Sequence, residues 1–163
     1  MDTSQKEQNF EEYQRQFCSF VLAENLFGID IQDVKEIKDD FSFTPIHHAP
    51  KEIKGFVNIR GQVHLIIDLR LLLNFQNKEV DTLSRIILFK QDVAGEHFGA
   101  LVDSHSGVIE VSNKLIEYHK NDTEHLSTEE YNNRKKLTIG VCKLDSDLMT
   151  ILDARKMLTT IKL

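Results

Sequence analysis

The chain carries the stretch GFVNIRGQVHLIIDLRLLL at residues 55–73 and the stretch GVCKLDSDLMTILDARKML at residues 140–158. At a constant offset of 85 positions, Gly55, Ile66, Asp68, Arg70 and Leu73 fall on Gly140, Ile151, Asp153, Arg155 and Leu158. Two stretches that share spacing as well as residue type indicate an internal duplication. A repeat spacing near 85 residues is too long for a solenoid, so it predicts two similar half-domains.

Two shorter matches extend the duplication upstream. Phe27-Gly28 matches Phe98-Gly99 at an offset of 71, and Val34–Ile37 matches Val108–Val111 at an offset of 74. The matched pieces follow the same order in both copies. This alignment places Glu36 opposite Glu110, so a carboxylate pair across a pseudo-twofold axis is conceivable, but duplication explains the likeness without catalysis.

Both copies have the pattern of β-structure. Short apolar runs predict strands at residues 17–22, 27–31, 57–59, 63–67, 85–90 and 97–102. Arg60-Gly61 separates two of these runs, and glycine accepts the positive φ that a two-residue hairpin turn demands. With the matching runs of the second copy, we expect at least eight short strands.

Short helices are predicted between the strands. Pro50 and Gly55 bracket a helix over residues 51–54, which makes Gly55 a helix C-terminal glycine. Asp68 and Asp153 each precede a helical segment, at residues 69–75 and 154–160. A side-chain oxygen at a strand-to-helix step satisfies orphan amides, so capping is favoured over catalysis for both carboxylates.

Composition excludes several classes of protein. The 163 residues have 40% hydrophobic content and a net charge of −6, which fits a single domain over residues 16–163 behind a polar tail, residues 1–15. No basic cluster beyond Arg134–Lys136 is present, so nucleic-acid binding is disfavoured. No apolar run approaches the ~20 residues of a membrane span, and we expect a cytoplasmic protein without membrane insertion.

The sequence lacks the signatures of common catalytic and metal sites. There is no Gly-x-Ser-x-Gly elbow, no Cys-x-x-Cys pair and no glycine-rich phosphate loop. The seven histidines lack the helical i, i+4 spacing of a metal pair, and Cys18 and Cys142 lie in apolar runs typical of buried thiols. We therefore expect no catalytic residue, metal or cofactor. A small hydrolase or metal protein is an alternative based on the histidine count alone.

Three segments resemble the CheW-like family of chemotaxis coupling proteins: Val34–Ile37, the stretch PKEIKGFVNIRG at residues 50–61, and Ile67–Arg70. The resemblance runs from about Phe17 to Leu158. It implies a mainly β fold of two intertwined five-stranded, Src-homology-three-like β-barrels with a few short helices and a hydrophobic groove between them. The first barrel would span roughly residues 16–84 and the second roughly residues 85–158, with strands able to swap.

The resemblance also implies a function. The protein would be a non-enzymatic adaptor that couples the cytoplasmic tips of chemoreceptors, the methyl-accepting chemotaxis proteins, to a CheA-type histidine kinase at membrane-associated receptor arrays. A CheW-like coupling protein of a pilus or gliding-motility kinase pathway is the alternative.

Six candidate partner-binding residues follow from the same resemblance. Val34, Ile37 and Val108 would line the groove, while Glu36 and Arg60 would supply polar contacts near it. Gly55 would permit close approach. Plain core packing is the alternative for the three apolar residues, because strands place alternate side chains on opposite faces.

The strand after the Arg60-Gly61 turn departs from the family pattern. Leu65 stands where many members carry proline, so this strand is free to make a ladder hydrogen bond that proline would bar.

The second copy carries about 11 more residues than the first between its matched pieces, within residues 120–136. This stretch is polar, and Ser127 and Glu130 indicate a capping box and a short exposed helix.

Overall fold

Eleven β-strands dominate the described part of the chain, residues 11–119 and 129–161 of a computed structural model. The strands are β1 (Gln14–Leu22), β2 (Asn25–Asp30), β3 (Val34–Lys38), β4 (Ile53–Ile59), β5 (Gln62–Asp68), β6 (Arg85–Phe89), β7 (Phe98–Val102), β8 (Ser104–Ser112), β9 (Ile116–Tyr118), β10 (Thr138–Lys143) and β11 (Leu148–Leu152). The helices are α1 (Leu69–Leu72), α2 (Glu129–Leu137) and α3 (Met157–Thr160). The prediction of a mainly β fold with a few short helices is confirmed.

The strands form two sheets. One has five strands in the order β3-β6-β7-β5-β4, and the other has six in the order β8-β1-β2-β11-β10-β9. A bridge between Thr44 and Phe56 joins the segment after β3 to β4, the opposite edge of the five-stranded sheet. In the six-stranded sheet, the edge strands β8 and β9 are joined by the 3-10 turn Asn113–Leu115. We call these sheets the five-stranded and the six-stranded barrel.

The two copies of the duplication exchange strands between the barrels. The first copy contributes β1 and β2 to the six-stranded barrel and β3, β4 and β5 to the five-stranded one. The second copy contributes β6 and β7 to the five-stranded barrel and the remaining strands to the other. The boundary expected near residue 84 thus separates the two copies but does not separate the two sheets. The six-stranded barrel exceeds the expected five strands because the three-residue strand β9 pairs with β10.

Strand register supports the duplication in three dimensions. Gly28 lies opposite Ile151 in the parallel pair of β2 and β11, and Gly99 lies opposite Ile66 in the parallel pair of β7 and β5. These four residues are the ones that the offsets of 71 and 85 match in the sequence. The register also shifts beside Gly55 in β4 and beside Gly140 in β10, so the matched glycines lie at matched irregularities.

The register corrects one part of the alignment. In β1, Cys18 lies between Ile29 of β2 and Val108 of β8, and in β6, Ile87 lies between Ala100 of β7 and Ile37 of β3. Ile29 and Ala100 match at the offset of 71, so Cys18 and Ile87 occupy equivalent positions in the two copies. Their neighbours on the other side, Val108 and Ile37, are therefore equivalent as well.

The offset of 74 for this strand is therefore wrong by three residues. Glu36 corresponds to Gly107, and the pairing of Glu36 with Glu110 across a pseudo-twofold axis is also wrong. A shift of register lies beside Glu36 in β3 and beside Gly107 in β8, which supports the corrected alignment.

Three apolar clusters fill the molecule. Phe17, Ile151 and their neighbours pack inside the six-stranded barrel, and Ile66, Leu88 and their neighbours pack inside the five-stranded barrel. The largest cluster contains residues of both barrels, among them Phe20, Phe27, Ile67, Phe89 and Phe98. This shared core joins the two barrels, because side chains on the outer face of each sheet contribute to it.

Local structure near the helices agrees with the capping prediction and differs at Gly55. Asp68 accepts a hydrogen bond from the amide of Leu71, and Asp153 accepts one from the amide of Arg155. The helix expected over residues 51–54 is wrong: residues 51–52 form a turn and β4 begins at Ile53. A strand of apolar residues that pairs along β5 overrides the Pro-to-Gly signal at this place.

Candidate functional site

The outer strands β3 and β8 carry the three apolar candidate residues. Val34 and Ile37 are partly buried and pack against the shared core, so core packing accounts for much of their surface. Val108 lies opposite the buried Cys18 on β1, yet 54% of it is exposed. The duplication therefore places related side chains, Ile37 and Val108, in different environments, and Val108 offers the free apolar surface.

An ion pair joins the two polar candidates. Arg60 donates from Nη2 to Oε2 of Glu36 at 2.6 Å, which connects the β4–β5 turn to β3. Arg60 and Gly61 have φ of 51° and 82°, the left-handed pair of a type I′ hairpin turn, and the amide of Gly61 donates to Oδ1 of Asn58. The hairpin geometry predicted at Arg60-Gly61 thus aims the guanidinium at Glu36.

The surroundings of Glu36 favour its charged carboxylate. The hydrogen bond from Arg60 lowers the pKa of the Glu36 carboxyl, and the nearby charge of Lys38 acts in the same direction. The Arg60 side chain is 65% exposed, whereas that of Glu36 is 27% exposed. Oε1 of Glu36 is buried without a hydrogen-bond partner among the described residues. The exposed guanidinium can therefore meet a second protein while it holds Glu36 in place.

A buried histidine, His64, lies in β5 just after this turn. His64 of β5 is 1% exposed, and its Nδ1 lies 3.1 Å from the carbonyl oxygen of Gln62. Burial lowers the pKa of His64, and its ring centroid is 5.1 Å from that of His97. A neutral ring that donates from Nδ1 fits these surroundings, because no described residue partners Nε2.

Gly55 permits a close approach within the chain itself. A Cβ at this position would lie 2.5 Å from the carbonyl oxygen of Thr44, and the φ of +146° disfavours any side chain. Thr44 and Phe56 exchange backbone hydrogen bonds of 2.8 and 2.9 Å directly beside it. Gly55 therefore allows the segment after β3 to close the five-stranded barrel, which positions β3 and its Glu36.

Sequence reasoning missed a partly buried ion pair that joins the two copies. Arg70 donates from Nε and Nη2 to the two carboxylate oxygens of Asp103, at 2.7 and 2.8 Å. Burial by itself would raise the pKa of Asp103, but the hydrogen bonds from Arg70 and from the amide of Ala23 outweigh it and leave this pKa below its usual range. Asp103 comes directly before β8, so the pair fixes the start of that strand.

A second missed feature is a pair of exposed apolar side chains. Val63 of β5 is 54% exposed and Leu148 of β11 is 49% exposed. The offset of 85 relates these two positions, so a longer comparison of the copies could have found them.

Leu65 makes the backbone hydrogen bond that a proline at this position would bar. Its amide donates to the carbonyl oxygen of His97 at 3.0 Å.

The described residues contain no group of three or more His, Cys, Asp or Glu side chains placed to hold a metal ion. None of the helices in those residues is long and apolar enough to cross a membrane. Burial raises the pKa of the Cys18 thiol to about 11, so this group stays protonated and is a poor nucleophile.

Comparison with known proteins identifies the family. The model of the CheW-like domain matches residues 16–162. The chain belongs to the CheW-like domain family. The Klebsiella aerogenes chemotaxis protein CheW is 30% identical over 148 residues, which cover 90% of this chain and 82% of that protein. A probable chemotaxis protein CheW of Rhizobium etli is 30% identical over 103 residues, and this match spans 65% of the Rhizobium protein.

A solved CheW-like structure has the same fold. The scaffolding protein TtCheW of Thermoanaerobacter tengcongensis superimposes with a TM-score of 0.75 and 28% sequence identity, over 89% of this chain and 92% of TtCheW. The resemblance carried by the Arg60 hairpin and the Asp68 segment is thereby confirmed for the whole domain. The six candidate partner-binding residues remain predictions.

Proposed function

We propose that this CheW-like chain is an adaptor in chemotaxis signalling, which couples the cytoplasmic tips of chemoreceptors to a CheA-type histidine kinase at receptor arrays. Support comes from the family match over residues 16–162 and from relatives named as chemotaxis and scaffolding proteins. An adaptor requires two surfaces held in fixed geometry and needs no bond chemistry.

The observation that carries the proposal is the combination of a polar surface at the β4–β5 turn with an apolar surface on the edge strand β8. Arg60 is 65% exposed at a fixed turn, and Val108 is 54% exposed on β8. Charged groups at the rim of a contact tune partner choice, and an apolar side chain at its centre supplies affinity. We assign Val108, with the accessible parts of Val34 and Ile37, to the receptor, and the Glu36–Arg60 pair to polar contacts beside them.

The adaptor mechanism depends on rigidity. The shared core joins both barrels, so a displacement of one docking surface is passed to the other as a change of orientation. Receptors cluster in arrays, and multivalency raises the effective concentration, so modest affinities suffice.

Reconstitution tests the proposal. The purified chain is mixed with a receptor cytoplasmic fragment anchored on vesicles and with the CheA-type kinase, and ATP-dependent autophosphorylation is measured with and without the chain. We expect a ternary complex in pull-down and a rise in kinase activity that requires all three proteins. Binding of neither partner at tens of micromolar would refute the adaptor function.

A further inference from the structure

A pocket opens beside the shared core, away from the proposed receptor surface. Its volume is about 230 Å³, and its apolar walls are Phe27, Leu73, Phe75 and Leu152. Thr138 and Thr150 complete the wall, and Arg134 and Asn25 lie at its margin. Val34, Ile37 and Val108 do not line this pocket, so its function is separate from the adaptor contacts proposed above.

The internal duplication allows the pocket in the six-stranded barrel to be compared with the equivalent place in the five-stranded barrel. The offset of 85 relates Thr138 to Ile53 and Thr150 to Leu65. In the five-stranded barrel, Ile53 and Leu65 pack against the shared core. In the six-stranded barrel, a shorter and polar threonine stands at each position, and the pocket lies there. One half of the duplicated molecule therefore lacks the larger side chains that fill this space in the other half.

Arg134 brings positive charge to the margin of the pocket. The guanidinium carbon lies 4.1 Å from the centroid of the Phe75 ring, Nε donates to the carbonyl of Leu73, and Nη2 lies 3.4 Å from the carbonyl oxygen of Asn74. A guanidinium has five N–H donors, so three stay without a partner among the described residues. Lys135 and Lys136 follow in the last turn of α2, whose sequence starts with Glu129 and Glu130, so the positive charge of the helix is concentrated at its end beside the pocket.

The size of the pocket decides what enters it. A dry cavity of about 150 Å³ holds a benzene ring, whereas small-molecule sites usually measure about 300–1,000 Å³. A pocket of about 230 Å³ thus has room for one aromatic ring and its stem. Unused guanidinium donors beside it suit a carboxylate, which Arg binds through paired hydrogen bonds. Such pockets with a buried aromatic anchor are typical of protein interfaces.

We propose that the pocket is an anchor site for a partner protein, which packs one aromatic side chain against the wall formed by Phe27 and Phe75 and places the carboxylate of an adjacent Asp or Glu on Arg134. Binding in this way would add a docking surface on the six-stranded barrel that has no counterpart on the five-stranded one.

Amide NMR shifts of the full chain test the proposal with the peptide acetyl-Gly-Ser-Phe-Glu-Ser-Gly-amide as the probe. We expect saturable shifts of Thr138 and Thr150. Replacing the glutamate of the peptide with glutamine should weaken binding about fivefold, the effect of one lost charge contact of ~1 kcal/mol. Replacing its phenylalanine with alanine should abolish the shifts.

Variants of the chain complete the test. Thr150→Leu restores the residue of the other copy and should remove peptide binding, and Thr138→Ile is a second filling variant should the first unfold. Arg134→Gln should reduce binding of the glutamate peptide to that of the glutamine peptide. Thr159→Leu, at an exposed position outside the pocket, is the matched control and should bind normally.

Several results would overturn the proposal. Equal binding of all three peptides, or full binding by folded Thr150→Leu, would show that the pocket is not the site. Tighter binding of free 3-phenylpropionate than of the peptide would assign the pocket to a small molecule. Shifts of Thr138 and Thr150 that depend on the concentration of the chain alone would make a second copy the occupant.

Discussion

Arg60 Nη2 lies 2.6 Å from Oε2 of Glu36, although 24 residues separate the two in sequence. The contact connects a hairpin tip to the edge strand β3, and the exposed guanidinium contributes little to the core. We expect Arg60→Glu to lower kinase activation in the reconstituted array several-fold. The thermal unfolding of the variant should stay near that of the unchanged chain, because exposed ion pairs contribute only ~0–1 kcal/mol.

The charge-swapped double variant Glu36→Arg, Arg60→Glu serves as the companion to this test. It restores the ion pair but reverses the exposed charge, so it should remain inactive if a partner reads Arg60. Recovery of activity in the double variant, or unfolding of Arg60→Glu, would show that the pair is purely structural.

Val108→Asp should weaken binding of the receptor fragment about tenfold, the equivalent of ~1.4 kcal/mol, because a charge replaces an exposed apolar contact. Val63→Asp is the matched control, since both valines are 54% exposed on strands. Sedimentation with vesicle-anchored receptor measures the binding, and calorimetry checks folding. Equal losses for the two variants would remove Val108 from the receptor surface.

Gly55→Ala should destabilise the chain by about 2–4 kcal/mol, from backbone strain together with overpacking against Thr44. Gly61→Ala is the control: its φ is +82° and no atom lies within 4 Å of the added Cβ, so strain alone should cost about 1 kcal/mol. Urea unfolding of both variants measures the difference. Similar losses would mean that the approach of Thr44 to β4 is unimportant.

Arg70 and Arg155 are related by the duplication but differ in burial, with side chains 16% and 54% exposed. Arg70→Gln removes one partner of a partly buried, doubly hydrogen-bonded pair and should cost about 1–3 kcal/mol. Arg155→Gln breaks the exposed contact with Asp33 at 3.1 Å and should cost at most ~1 kcal/mol. Denaturant unfolding of the two variants gives the comparison, and a reversed order of stability would contradict it.

The free energy of unfolding should decrease as the pH falls below about 6.5. Burial lowers the pKa of His64 from its ordinary value of 6.5, so the unfolded chain binds more protons than the folded one once the pH falls through that value. The stability from neutral His64 is therefore present above pH 6.5 and is lost as the pH drops through the folded pKa.

His64→Phe should reduce the dependence of the unfolding free energy on pH between pH 7 and pH 5, and His47→Phe, at an exposed loop position, is the control substitution. His105, whose pKa burial also lowers, accounts for part of the remaining slope. An unchanged slope in His64→Phe would show that the histidine does not titrate in this range.

Patterns of residues predicted most of the fold but not its irregular positions. The copies, the hairpin at Arg60-Gly61 and the caps at Asp68 and Asp153 follow from local chemistry, because turns and helix starts need particular side chains. The three-residue error in aligning β3 with β8 comes from the local likeness of VKEI at residues 34–37 to VIEV at residues 108–111, which only the strand register in three dimensions shows to be misaligned.

The candidate site was predictable only in part. The sequence indicated Glu36 and Arg60, yet the contact between them depends on closure of the barrel through Thr44, a non-local event. The different burial of Val108 and its counterpart Ile37 was not predictable either, since it depends on how the rest of the chain covers β8 and β3. The pocket at Thr150 could be recognised only by comparing the two copies in three dimensions.

The exchange of strands has a consequence for the origin of the molecule. Neither copy holds the strands of one complete barrel, so a lone copy would leave unpaired edges and would have to associate with another to bury them. Two identical chains could do this by trading their first two strands, as in a swapped homodimer. The protein has the architecture of such a dimer joined into a single polypeptide.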